Sequence, residues 1–221
     1  MFKFVSILTD MTKKEQILEA SEELFAEFGY TGTTVRHLAK KAGVNIAMIS
    51  YYFGSKEQLF AELVEYRASF LRLKLQDIQK EITNPIEQIE KMVDVYIDRV
   101  MSQQNFHRIL HRQISLQGSE LNESIITILM KNVSEVRNII EDGIKKKAFR
   151  DVDIEFVILT FFGAVAHFVN SSALTKKLLS IPGNKHINEY PEIQLRMKKF
   201  LIDLLKKYLI SSNNNDKMLS N

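Results

Sequence analysis

The 221-residue chain contains no cysteine, which removes disulfide frameworks, thiolate metal sites and cysteine nucleophiles together. A chain without disulfides suits a reducing compartment, so a cytoplasmic location is expected. Three prolines and eight glycines are too few turn formers for an all-β fold built from many hairpins. Long apolar runs are also missing. The longest, around Phe156 to Val169, falls short of the ~20 residues a membrane span needs, and no membrane partner is expected. Met1 to Leu8 has one lysine, a very short apolar stretch and no small-residue cleavage site, which makes a poor secretory signal. With a net charge of +3 the molecule is no polycation, so a case for nucleic acid must rest on local charge. No P-loop, GxGxxG or Ser-His-Asp arrangement is visible, so neither a cofactor nor an enzymatic activity is expected.

What is present is helical periodicity. At 45% hydrophobic residues the chain can bury a real core. Thr12 and Glu15 form a capping box that opens an amphipathic segment with Ile17, Leu18, Ser21, Leu24, Phe25 and Phe28 on one stripe, closed at Gly29. A short helix from Val35 to Ala42 follows the Thr33-Thr34 cap and stops at Gly43; a second runs from Asn45 or Ile46 to Phe53. Ser55 and Gln58 open a long helix to about Ile82, and Asn84-Pro85 opens another to about Gln103. Further helices are expected over Asn105–Ser115, Leu121–Ile144, Asp153–Leu174 and Pro191–Tyr208, with a break at Pro182-Gly183. Nine helices and no convincing strand make the expected class all-α.

Charge is unevenly laid out near the start. From Phe28 to Lys56 there is no acidic residue, while Arg36, Lys40, Lys41 and Lys56 give a local +4. Such a patch is the electrostatic footprint of a phosphate-binding surface, though a solvated basic face reads the same way on charge alone. The spacing adds information. Two short helices joined by a tight turn at Gly43 have the size and punctuation of a helix-turn-helix, whose second helix enters a major groove. Ile49 and Phe53 are four apart and share the packed face, leaving Asn45, Ala47, Met48, Ser50, Tyr51 and Tyr52 outside or at the rim. Two adjacent tyrosines there suit phosphate hydrogen bonding and apolar contact with sugars and thymine methyls.

The runs Thr33–Val44 (TTVRHLAKKAGV) and Ile49–Phe60 (ISYYFGSKEQLF) resemble the N-terminal domain of the TetR family of bacterial transcriptional regulators, over about Ile17 to Phe60. The resemblance implies an N-terminal three-helix DNA-binding domain and a C-terminal helical domain for ligand binding and dimerisation. It implies phosphate contacts from Thr34 and Arg36, base contacts from Asn45, Ala47 and Met48, and groove-wall or phosphate contacts from Tyr51 and Tyr52. Lys56, beside a helix N-terminus, would add a phosphate contact. Ser50 departs from the family, many of whose members carry an aromatic there. Met1 to Asp10 lacks the basic arm some members use; a packed arm, a disordered start, or Met11 as the true initiator are the alternatives.

The expected organisation is residues 1–11 as an N-terminal extension, 12–54 as the DNA-binding domain, 55–210 as the regulatory and dimerisation domain, and 211–221 as a polar tail. His107 and His111 are four apart, the spacing of paired metal ligands, but lack the accompanying glutamate of a metal motif; no metal is expected. His167, in an apolar run, is either a hydrogen-bonded core histidine or a polar fixture in a pocket or dimer seam. A ligand pocket is expected from Tyr66, Phe70, Met92, Tyr96, Met101, Phe162 and Phe168, with His107, His111, His167 or Asn170 meeting polar groups of a small apolar or aromatic effector. The helix Asp153–Leu174, apolar almost all round, and the stripe on the last helix would pair in a homodimer that reads a near-palindromic operator. The expected function is a DNA-binding regulator, a repressor released by its ligand. The alternatives are a ligand-independent regulator acting by occupancy or through protein partners, and a helical carrier or enzyme that has lost DNA binding.

Overall fold

The computed structural model describes residues 12–115, 120–170, 172–182 and 189–210. Ten α-helices and no strand occupy them: α1 Lys13–Gly32, α2 Val35–Ala42, α3 Ile46–Phe53, α4 Lys56–Glu81, α5 Pro85–Ser102, α6 Gln104–Ile114, α7 Glu120–Lys145, α8 Ile154–Asn170, α9 Ser172–Leu178 and α10 Pro191–Leu209. The expected extension over residues 1–11, the tail over 211–221 and Gly183 of the expected break lie outside the described residues. The count exceeds the expected nine by one: the run Asp153–Leu174 is described in two pieces, α8 to Asn170 and α9 from Ser172, with residue 171 between them outside the described residues. The Asn170 side-chain N–H donates to the Ala166 carbonyl at 2.7 Å.

The chain divides into two compact units, one holding residues up to Arg67 with Arg108–Ile128, the other Ala68–His107 and residues from Leu129 on. In the first, Ile17, Leu18 and Phe25 of α1, Leu38 of α2, Ile49 and Phe53 of α3, and Leu59, Phe60 and Leu63 of α4 are buried together. Phe25, Tyr30 and Phe60 form an aromatic cluster, with ring centroids 5.3–5.6 Å apart. Arg67 reaches across from α4 to Glu19 and Glu22 of α1 at 3.1 and 2.6 Å. Phe28, expected on the buried stripe, is 53% exposed. It falls in the last turn before α1 breaks at Gly29, too late to share the core face.

In the second unit, α5, α7, α8 and α10 contribute to one apolar cluster with Leu71, Leu75 and Ile78 of α4. α5 and α10 are fastened at their rims by Lys206–Glu90 at 2.6 Å and Lys198–Asp98 at 2.7 Å. The loop after α7 is tucked in by Phe149, and Arg150 donates from its backbone to the Leu209 carbonyl at 2.8 Å. α8 is not buried on every side, as its composition implies. Val157, Ile158, Phe161, Val165 and Val169 face the core, while Phe156 and Leu159 are 67% and 64% exposed.

Candidate nucleic-acid interface

The two short helices are set by their own end groups. Thr34 caps α2, its hydroxyl oxygen accepting from the His37 backbone N–H at 3.2 Å. Gly43 then takes φ +64°, ψ +34°, the left-handed conformation that reverses the chain at little cost only for glycine. Asn45 caps α3 by accepting from the Met48 N–H at 2.8 Å. Ile49 and Phe53 anchor α3 to the core, at 2% and 4% exposure. The pitch of the helix therefore turns Asn45, Ile46, Ala47, Ser50, Tyr51 and Tyr52 outward, with Met48 half-buried at the rim. Tyr51 is 83% exposed, and its ring meets that of Tyr52 edge-on at 5.2 Å. Tyr51 stands clear of the core, while Tyr52 also meets the buried Phe53 ring at 6.2 Å.

The basic patch is smaller than the sequence implies. Lys41 pairs with Glu23 of α1 at 2.5 Å, a counter-charge supplied from outside the acid-free stretch. Lys56 is engaged as well: its ammonium donates to the carbonyls of Tyr30 and Thr33 at 3.0 and 3.1 Å and lies 4.3 Å from the centre of the Tyr30 ring. Thr33, in turn, is buried and donates its hydroxyl to the carbonyls of Gly29 and Leu24. Lys56 thus fixes the α1–α2 junction on which Thr34 and Arg36 are mounted, and keeps one N–H for another acceptor. Arg36, His37 and Lys40 stand exposed on α2. Lys40 is exposed as the basic patch implies, and His37 and Ile46 belong to this outer surface without having been singled out from the sequence. An isoleucine three residues before a core isoleucine reads as core, yet Ile46 is 45% exposed at the first turn of α3.

These features describe a rigid pair of helices presenting one cationic and one aromatic surface. Two family models match the same chain: bacterial regulatory proteins of the tetR family over residues 17–63, and a tetracyclin repressor-like C-terminal domain over residues 83–170. The probable HTH-type transcriptional regulator YttP of Bacillus subtilis is 31% identical over 157 residues, 67% of this chain and 73% of that protein. The chain belongs to the TetR family.

This TetR-family protein is a DNA-binding transcriptional regulator. It is also 28% identical to the HTH-type transcriptional repressor NicS of Pseudomonas putida, over 73% of this chain and 77% of that one. Among solved structures, the transcriptional regulator FadR from Bacillus subtilis in complex with stearoyl-CoA superposes with a TM-score of 0.69 at 20% identity. That match covers 83% of this chain and 96% of the other, and extends the shared fold through both units.

The residues expected to line a ligand pocket are divided between the two units. Tyr66 and His111 fall in the first unit; Phe70, Met92, Tyr96, Met101, His107, Phe162, His167, Phe168 and Asn170 fall in the second. Within the second unit, Tyr96 of α5 meets Phe161 and Phe162 of α8 at 5.2 and 5.0 Å. Met92 and Met101 are buried, and Met92 lines an internal void of about 10 Å³ with Ile89, Val136 and Phe161. His167 is exposed on α8, so it is not a core histidine. Asn170 spends its amide on the Ala166 carbonyl, as described. His107 is half-buried with its Nε2 closed to solvent, and its ring is pulled down from the ordinary histidine pKa of 6.5 to about 4, first by desolvation and then by the Arg99 charge. Among the described residues no group of three or more His, Asp or Glu could hold a metal, and no helix is long and apolar enough to cross a membrane.

Proposed function

We propose that the protein is a homodimeric repressor that holds a near-palindromic operator and is released by a small apolar or aromatic ligand bound in its second unit. Thr34 and Arg36 contact phosphates, Asn45, Ala47 and Met48 face base edges, and Tyr51, Tyr52 and Lys56 meet phosphates and the groove wall. The observation that carries this reading is the outer face of α8 and α10. Phe156 and Leu159 on α8, and Phe200, Leu204 and Tyr208 on α10, are all exposed, and the two helices border a groove of about 210 Å³. An apolar face of this kind on a soluble regulator marks an interaction surface. Its two-fold copy supplies the second helix-turn-helix that tight operator binding requires. The similarity to the repressor NicS and to FadR, solved in complex with stearoyl-CoA, supports the sign of regulation and the presence of a ligand.

The test combines sedimentation with footprinting. A dimer of twice 25.6 kDa at micromolar concentration that protects two half-sites one or two helical turns apart is the expected result. A monomer that binds a single half-site overturns it. A ligand-independent regulator is the second reading, favoured by the tight packing around Met92, whose void of about 10 Å³ holds no more than one water. Screening for operator release separates the two.

A further inference from the structure

A helix in the major groove tells base pairs apart by hydrogen bonds and by one apolar feature, the 5-methyl group of thymine. α3 is poorly equipped for the first. From Asn45 to Phe53 no residue is charged, so the helix holds no Arg or Lys for guanine and no Asp or Glu for cytosine. Its one carboxamide belongs to Asn45, and the oxygen of that group already accepts from the Met48 backbone N–H at 2.8 Å. Recognition of adenine by asparagine uses that oxygen and the NH2 together, so Asn45 keeps half of the pair. The hydroxyls of Ser50, Tyr51 and Tyr52 both donate and accept, which discriminates weakly between bases. The cations of this surface, Arg36, Lys40 and Lys56, stand on α2 and α4.

What α3 does offer is an isoleucine out of place. Ile49 and Phe53 hold the helix on the core, while Ile46, three residues before Ile49, is 45% exposed in the first turn. Side chains lean towards the N-terminus of their helix, so Ile46 leans past the start of α3, the end whose residues meet base edges. One turn on, the residue placed to cover it is Ser50, itself exposed and too short to do so. Ala47 beside it is also exposed and leaves room for a base to approach. We infer that Ile46 is a specificity-determining residue, seated against the 5-methyl group of a thymine in each operator half-site. Its branched side chain is covered on binding, and a thymine covers it with a methyl where another base would press a polar edge against it. This inference rests on the operator-holding reading above and names part of what the operator presents.

The test uses the full chain and a duplex that it enriches from a randomised pool, remade with one thymine at a time replaced by deoxyuridine. The exchange removes the methyl and leaves every hydrogen-bonding group of the pair in place. The parent is expected to lose about fourfold in affinity at one thymine position per half-site, the worth of one buried methyl group. Ile46→Ala should bind the unmodified duplex several-fold less tightly and make no distinction between thymine and uracil at that position, while its response at the other positions stays that of the parent. Ile46→Val, which keeps the branch, should retain most of the preference. Thermal melts check folding, and Ile46→Gln, expected to lose the preference in the same way, serves if the alanine variant does not fold. A parent indifferent to deoxyuridine at every position, or an Ile46→Ala variant as sensitive as the parent, overturns the methyl contact and leaves operator binding standing. A pool from which no duplex is enriched overturns the operator reading itself, and the methyl contact with it.

Discussion

Lys56 meets Tyr30 twice, its ammonium donating to the Tyr30 carbonyl at 3.0 Å while lying 4.3 Å from the centre of the same residue's ring. The Tyr30 hydroxyl donates to Glu57 at 2.9 Å, which pushes the phenol well above its usual range together with burial, the larger cause. Replacing Lys56 with alanine therefore has two expected consequences. The fold loses two carbonyl hydrogen bonds and a cation–π contact, about 1–2 kcal/mol at this half-buried site, read as a lower melting temperature. DNA affinity falls alike for operator and random sequence, and the slope of log affinity against log salt becomes shallower by about 0.9, one phosphate contact. An unchanged slope with a lowered melting point would reduce Lys56 to a clamp.

Gly143 of α7 has no room for a side chain, because a Cβ there would stand 2.0 Å from the Phe149 ring. In an exposed helix Gly→Ala stabilises by roughly 0.5–1 kcal/mol; here the expected sign is reversed, with about 1–3 kcal/mol lost to overpacking. Urea denaturation of Gly143→Ala checks the sign, and Phe149→Leu in the same chain should recover part of the loss.

Acid should weaken the fold through His107. Its folded pKa, about 4, lies below the unfolded value near 6.5, so the unfolded chain takes up a proton first as pH falls. Stability is fully present above about pH 6.5 and is lost progressively towards pH 4, by roughly 3 kcal/mol in all. Denaturation midpoints at pH 7 and pH 5 should differ in the wild type, and the difference should shrink in His107→Leu. A variant as acid-sensitive as the parent would place the titration elsewhere.

Charge on the outer face of α8 and α10 should separate the subunits. Leu159→Glu and Phe200→Glu each put a carboxylate on an exposed apolar position, costing nothing in the isolated subunit and much in a buried seam. Sedimentation should give a monomer, with operator affinity falling by orders of magnitude. If both variants still sediment as the parent does, the contact lies on another surface.

On α3, Ala47→Ser and Met48→Lys should change which operator is preferred, whereas Tyr51→Phe should weaken every sequence by about 0.5–1.5 kcal/mol through loss of one phosphate hydrogen bond. Selection from a randomised operator pool distinguishes the two patterns.

The helix-turn-helix was legible because its signals are local. The Thr34 cap, the turn at Gly43 and the Asn45 cap each act within four residues; the structure places the first two as the sequence implies, and shows that Asn45, expected only near the start of the second helix, caps it. What was missed depends on partners distant in sequence or on the end of a helix. Glu23 neutralises Lys41 from eighteen positions away, so a count restricted to Phe28–Lys56 overstates the positive patch. Phe28 keeps its helical period yet leaves the core, because Gly29 ends the helix beneath it. The two-sided composition of α8 is visible in the sequence, but only the folded subunit reveals that one side faces outward. The ligand residues are the least legible: Met92 and Tyr96 line a core with or without an effector, and nothing in their spacing separates the two uses.

The Lys56 ammonium closes the carboxyl end of α1 while occupying the first position of α4. Helix dipoles give these ends opposite signs, so the charge is favourable for α1 and unfavourable for α4. Glu57, also in the first turn of α4, offsets the imbalance in part, its carboxyl held below the usual range by backbone hydrogen bonding and by the Tyr30 hydroxyl. A nucleic-acid phosphate arriving at this end would complete the compensation. The first turn of α4 is therefore where amide exchange should slow most when DNA binds, even though Leu59 and Phe60 just behind it are already fully buried without it.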